Sequence, residues 1–313
     1  MIVVCGEALI DLVPIPAGDE QAYLPRAGGS SYNVAIGIAR LGSTAGYLGR
    51  ISTDHFGRLL RDRLVAARVD CRYVVTGDEA TTLAVVHLEH GDEPQFAFYG
   101  EGTADRLLTA ADLPALGVEV AALHFGSISL IREPGASAYE ALMRRETGRR
   151  VLSLDPNVRP SLIPDRAAYL RRLEGWVALV DLVKVSRADL GWLYPALGAA
   201  EAARRWQALG PALVVVTRGE DGATGVTESA AIEVPGTPVE VADTVGAGDA
   251  FTAGLLAWLD DHGRLDRDSL KRLSADELAA CLAFAGRVAA LTCTRAGAEP
   301  PRRDELVEVR PTG

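Results

Sequence analysis

Residues 240–259 read EVADTVGAGDAFTAGLLAWL. Strand-like residues lead into Gly246-Ala247-Gly248, and a helical pattern follows with Phe251, Leu255 and Leu259 on one face. A glycine loop between a strand and a helix is the joint of an alternating α/β fold.

The same alternation runs along the chain. Strand-like runs are MIVVCG (1–6), AGYLGRI (45–51), VAALHFGSI (120–128), RVLSLDPN (150–157), LVDLVKVS (179–186) and ALVVVTRG (212–219). Helical patterns occupy 30–41, 54–67, 136–147, 165–175, 199–208 and 248–259. Several runs are apolar on both faces, which suits strands covered on both sides. The pattern predicts one α/β domain over 1–313: a doubly wound, mostly parallel sheet with helices on both faces. Two stretches break the rhythm. Residues 12–27 carry three prolines and no helical period, and 73–101 read strand, turn, strand, turn, strand, with HGDEP (90–94) as a hairpin signal. Together they predict a small antiparallel β lid. Such a sheet has little core of its own, so the main body or a second subunit must cover it. A lid over a site that doubles as a homodimer contact is the expectation.

Composition narrows the function. The 313 residues are 48% hydrophobic and 24% charged, with net charge −10. Lys184 and Lys271 are the only lysines and no basic stripe exists, which argues against nucleic acid as a partner. Four scattered cysteines and five dispersed histidines make no metal or disulfide pattern. The opening MIVVCGEALIDLV reads as a first strand and not as a signal peptide, and no apolar run is long enough to cross a bilayer. A cytoplasmic protein without a membrane partner is expected.

An acidic chain can still bind an anion through backbone N–H groups. Those at the start of a helix point outward, the helix dipole favours negative charge, and glycine admits a phosphoryl group without a Cβ in the way. The loop at 246–248 lacks the Gly-Lys-Ser/Thr of a Walker sequence, and Phe251 stands where a dinucleotide fingerprint needs its third glycine. Asp249 then has two readings. It is a capping carboxylate, or it is a base that the helix dipole keeps ionised and that takes a proton from an attacking hydroxyl.

DTVGAGD (243–249) and GGSSYNVAIGIARLG (28–42) resemble the two signatures of the ribokinase-like (PfkB) carbohydrate kinases. The text between them is most similar to bacterial fructokinases: FAFYGEGTAD, HFGSISL, DPNVRP and VKVSRADLGWL. The resemblance covers nearly the whole chain. It implies ATP-dependent transfer of the γ-phosphoryl group to a primary sugar hydroxyl, with Mg2+, most simply from D-fructose to the 6-phosphate. It implies Asp249 as base, with the N–H groups of Gly246, Ala247 and Gly248 offsetting the phosphoryl charge.

The sugar would be held by Asp11, the Gly28-Gly29 backbone, Asn33 and Arg159, with Tyr99 of the lid as a covering residue. Ser30 or Ser31 is expected as the N-cap of the helix after Gly29. ATP would lie along Lys184, Ser186, Thr217, Gly219, Gly222, Gly246, Gly248 and Gly286. At the positions of Ser186 and Asp189 much of the family carries Asn and Glu, and Gly286 stands where relatives often carry Asn or His. Asp189 would hold Mg2+ through water. Carbonyls near Asp243, Val245, Thr292 and Gly297 would hold a monovalent cation, K+, as in some relatives. Plain alternatives stand beside these readings: a loop aspartate for Asp11, a surface ion pair for Arg159, a hairpin turn for Gly222, and core or interface packing for Phe98 and Tyr99. Kinases of 2-keto-3-deoxygluconate, ribose or nucleosides share the catalytic loop, and a sensor without turnover would keep the fold.

Overall fold

The computed structural model describes residues 1–17, 20–87, 95–228 and 230–306. Its strands are β1 (Ile2–Cys5), β2 (Leu9–Ala17), β3 (Glu20–Gly28), β4 (Ala45–Leu48), β5 (Arg50–Ser52), β6 (Val75–Gly77) and β7 (Leu83–His87). They continue as β8 (Gln95–Tyr99), β9 (Ala122–Gly126), β10 (Val151–Asp155), β11 (Leu182–Ser186), β12 (Leu213–Thr217), β13 (Ala223–Val226) and β14 (Ala231–Val234). The helices are α1 (Ser30–Arg40), α2 (His55–Ala66), α3 (Gly135–Glu146), α4 (Arg166–Val177) and α5 (Arg187–Leu193), then α6 (Ala199–Leu209), α7 (Ala247–Asp261), α8 (Arg267–Lys271) and α9 (Ala275–Cys293).

Eight strands form the main sheet in the order β14-β13-β12-β11-β10-β9-β1-β4. It is parallel from β4 to β12, and β13 and β14 add an antiparallel edge. Alternation along each strand splits the core. Ile2 and Val4 face α1 and α7, whereas Val3 and Cys5 face α3 and the layer of α4 and α6. The predicted doubly wound sheet is therefore present, and its six parallel strands fall inside the runs read from sequence. The six predicted helices agree to within one or two residues at each end. The short α5 and α8 and the 19-residue α9 lie outside the six helical patterns.

Strand order reverses between β1 and β9. Ligands of open α/β sheets bind beyond the carboxyl ends of strands at such a reversal. Glu7 and Ser127 stand there, directly after β1 and β9.

The second sheet has the order β3-β2-β7-β8. Its two outer pairs are antiparallel, and β2 joins β7 in parallel. Two parts of the reading from sequence are corrected. Val75–Gly77 pairs with β5 and lies outside this sheet. Strand β2 begins at Leu9, so Asp11 is a strand residue rather than a loop residue. The HGDEP turn lies outside the described residues. The root of the sheet packs on the main body where Leu9 and Ala84 meet Ile128, with Phe96, Phe98 and Leu162 around them.

Helix α7 is clamped between α1 and α9. A Cβ on Gly37 would lie 2.6 Å from the Cβ of Ala253, and one on Gly254 would lie 2.9 Å from the Cα of Ala285. The two glycines thus let α1 and α9 approach α7 to backbone distance. All residues from Asp249 to Leu259 are buried.

Candidate active site

Gly246 is the N-cap of α7 at φ 78°, and a Cβ there would strike Ala298. No strand precedes it: 235–246 run without regular pairing. Instead Ala242 and Asp243 donate their N–H groups to the Cys293 carbonyl, at 2.8 and 3.1 Å. Asp243 Oδ1 and Oδ2 accept from the N–H of Val245 (3.0 Å) and Gly297 (2.7 Å). The loop is thus stitched to the end of α9. The Ala247 N–H is taken by the Thr244 carbonyl at 3.2 Å, which removes it from the expected anion hole. The N–H groups of Gly246, Gly248 and Asp249 have no partner among the described residues.

Asp249 does not cap its own helix. Its carboxylate crosses to α1, where Ser30 Oγ donates to Oδ1 at 2.6 Å and Asn33 Nδ2 to Oδ2 at 2.9 Å. Burial pushes its pKa up to about 6, against the lowering effect of Ser30 and Asn33. Desolvation outweighs the helix dipole, so the expectation of a depressed pKa is overturned. A carboxylate with a pKa near 6 is still mostly ionised at neutral pH, and it is a better proton acceptor there than an ordinary aspartate.

Ser30 belongs to a longer relay. Asn157 Nδ2 donates to Ser30 Oγ at 3.0 Å, and Asn157 Oδ1 accepts from Arg159 at 2.6 Å. Asn157 sits at φ 38°, a left-handed position that asparagine tolerates better than most residues. Neither Ser30 nor Ser31 is the cap of α1. Gly29 is the N-cap at φ 108°, and Glu7 Oε1 accepts from the Ser30 N–H at 2.8 Å. Glu7 is 1% exposed, with its pKa pushed up to about 7 by burial. The sequence reading passed over Glu7, although it is the first charged residue in an apolar opening run.

Asp11, Gly29, Asn33, Arg159, Val245, Gly246 and Asp249 line one cleft of about 520 Å³. Asp11 has its pKa raised to about 7 by burial and by the nearby Asp249 charge, with Arg159 opposing. A Cβ on Gly28 would lie 2.2 Å from Asp11 Oδ2, so a methyl there would push that carboxylate aside. Arg159 donates to the carbonyls of Asn157 and Val158 and has no ion pair among the described residues, which removes the surface-pair alternative. Tyr99 is corrected. It is 66% exposed and on the far face of its strand, whereas Phe96 and Phe98, of opposite parity, line the cleft.

On the other side of α7, Lys184 Nζ donates to Asp155 Oδ2 at 2.8 Å in a fully enclosed ion pair. Burial lowers the lysine pKa, but Asp155 outweighs it and the net shift is upward. A Cβ on Gly248 would lie 3.2 Å from Nζ, so the ammonium sits beneath the glycine loop. Thr252, which the sequence reading also passed over, donates to the Gly248 carbonyl at 3.1 Å and to Asp155 at 3.4 Å.

Ser186 caps α5 by accepting from the Asp189 N–H at 2.9 Å. The β11–β12 register sets Ser186 beside Thr217 at the carboxyl edge of the sheet. Asp189 Oδ1 accepts from the Val158 N–H at 3.2 Å, and burial raises its pKa, helped by Asp155. No cluster of three metal-ligating side chains occurs among the described residues. A lone, half-buried carboxylate fits a cation that keeps its water and leans on phosphate, as Mg2+ does, better than a caged ion.

Gly219 (φ 64°) opens a short turn onto free space. Gly222 (φ 90°) would strike the Val234 carbonyl at 2.1 Å with a Cβ, which is the hairpin reading. Gly286 on α9 also faces open space. Thr292 is fully buried in the last turn of α9, where its Oγ donates to the Val288 carbonyl. Among the described residues no helix is long and apolar enough to cross a membrane.

Comparison with known proteins follows this geometry. The profile of the pfkB family carbohydrate kinases matches residues 1–305. A fructokinase of Rhizobium leguminosarum bv. trifolii is 42% identical over 280 residues, 89% of this chain and 85% of that one. The crystal structure of the Xylella fastidiosa fructokinase with bound ATP superposes with a TM-score of 0.90 at 32% identity, covering 98% of this chain and 96% of that one. A fructokinase double mutant from Vibrio cholerae O395, in a fructose-, ADP- and potassium-bound form, has a TM-score of 0.85 at 30% identity, covering 98% and 96%.

Proposed function

The chain belongs to the pfkB family of carbohydrate kinases, and we propose that it phosphorylates fructose with Asp249 as the general base. It is an ATP-dependent sugar kinase, and fructose is the acceptor that its relatives' names support. One observation carries the assignment of the base: Asp249 is 7% exposed, has a pKa near 6 and opens onto the cleft that holds Asp11 and Arg159.

The chemistry follows from placement. Ketohexose hydroxyls lie against Asp11 and the Gly28-Gly29 backbone, under Phe96 and Phe98. The 6-hydroxyl faces Asp249. As its oxygen attacks the γ-phosphorus and the bond to the β,γ-bridging oxygen breaks, the proton passes to Asp249 and ADP leaves. The free N–H groups of Gly246, Gly248 and Asp249, with Lys184 beneath them, offset the charge on the transferring group. Asn33, expected as a sugar ligand, fits better as a holder of the base, since its amide already points at Asp249. Asp189 is the residue suited to Mg2+, which when bound through water would neutralise phosphate charge. The carbonyls of 243–245 and 292–297 are the place for K+. The small sheet acts as the lid and as the contact of a homodimer; Ile15, Tyr23, Leu24 and Tyr99 are its exposed large apolar residues.

A sensor without turnover has no support here, since base and anion loop are both intact. The test of acceptor is ADP release with a panel of fructose, 2-keto-3-deoxygluconate, ribose and nucleosides. Fructose should dominate. If fructose is inert and 2-keto-3-deoxygluconate is turned over, the substrate assignment falls while the kinase assignment stands.

A further inference from the structure

We propose that a second cavity, next to the sugar cleft, is an anion site that takes a phosphate-sized oxyanion between Arg106 and Arg132. The cavity has about 630 Å³ of open space and shares Phe98 and Ile128 with the cleft as a common wall. Neither arginine has a carboxylate partner of the kind that Arg50 finds in Glu79 and Arg172 in Glu133. The Arg132 side chain is half-buried and makes no hydrogen bond or ion pair among the described residues. Burial and the charge of Arg106 both pull its pKa down, so the two cations stand in each other's field. Arg106 donates one N–H to the Gly100 carbonyl at 2.7 Å, while its Nε is buried without a partner.

The carboxylates on the wall make no ion pair with these donors, although Asp105 lies in the field of Arg106 and Glu101 in that of Arg132. Asp105 is 6% exposed and takes the Thr82 and Thr103 hydroxyls on Oδ1. Glu101 is exposed and outside ion-pair distance of either arginine. What remains is a roomy, partly closed space with two planar cations and spare N–H groups. A tetrahedral oxyanion has the acceptors that such forks are shaped for. The group is free inorganic phosphate or the phosphoryl group of a ketohexose phosphate.

The experiment is calorimetric titration of the full chain with inorganic phosphate and, separately, with fructose 6-phosphate. The wild type is compared with Arg132→Gln and Arg106→Gln. Each substitution should weaken phosphate binding about tenfold or more, the usual effect of removing a charged donor. Free phosphate as the natural ligand predicts that it binds at least as well as the sugar phosphate; an attached phosphoryl group predicts the reverse, with the same loss in both variants. Binding of neither ligand, or inorganic-phosphate affinity that both variants keep, overturns the proposal. The Arg132 guanidinium makes no hydrogen bond among the described residues, so Arg132→Gln should fold, and its thermal melt checks this. Fructose turnover in phosphate-free buffer should stay within about twofold of wild type, because neither arginine lines the cleft. That turnover also tests the kinase reading independently of the cavity.

Discussion

Ser30→Ala removes one of two donors to Asp249, the 2.6 Å bond to Oδ1. That bond favours the ionised carboxylate and partly offsets the burial that lifts its pKa to about 6. A hydrogen bond to a charged group is worth about 1.5–3 kcal/mol, and one pKa unit corresponds to about 1.4 kcal/mol, so with partial replacement by water the pKa should rise by about one unit. The base is about half ionised in wild type at pH 6 and about a tenth ionised in the variant, a loss of about fivefold in rate. At pH 7 the loss shrinks to about twofold, and by pH 9 it vanishes because both carboxyls are fully ionised. The assay is kcat/KM for fructose by coupled ADP detection from about pH 5 to pH 9. The acidic limb should move upward while the plateau holds. A uniform loss at every pH, or an unmoved limb, refutes the claim that Ser30 tunes the base.

Four further outcomes follow. Asp249→Asn should lower kcat by about 10²–10⁴ or more while sparing fructose binding by calorimetry. It should also raise thermal stability at pH 8: a buried acid with its folded pKa moved from 3.8 to about 6 destabilises the fold above that window, by roughly 2–3 kcal/mol. For the same reason Asp249, Asp11 and Glu7 together should make the wild-type melting temperature rise as pH falls from about 8 to about 5.5, and a fall over that range would contradict their raised pKa values. Gly28→Ala, which drives a methyl into Asp11, should raise KM for fructose far more than it lowers kcat, and Tyr99→Ala should leave both unchanged. Lys184→Met leaves Asp155 buried without its partner and should cost about 3–5 kcal/mol in denaturant unfolding.

The main sheet was legible because its strands are buried on both faces and its helices carry one apolar stripe. Both features are local in sequence. Asp249 stands out in the sequence as a candidate base from its loop, but its environment does not. Its neighbours Ser30, Asn33 and Asn157 lie far away in the chain, and its pKa is set by burial that no window of sequence reports. The same reason explains Tyr99. The alternation of β8 is plain, but which parity faces the cleft depends on how β7 and β8 dock on β2, a pairing across about seventy residues. Glu7 was missed because a single carboxylate after a strand has no pattern to repeat.

The relay from Arg159 through Asn157 and Ser30 to Asp249 joins three segments that make no backbone pairing with one another. Asp249 and its helix belong to the rigid interior, whereas Asp11, Ala84, Phe96 and Phe98 stand on strands of the small sheet, drawn from separate stretches of chain. On the proposed mechanism, transfer chemistry and acceptor choice are therefore carried on different pieces of polypeptide. Substitutions in β2, β7 and β8 can re-cut the acceptor pocket while the machinery on α7 goes untouched, so one catalytic engine can be fitted to new alcohols by editing a few strand residues.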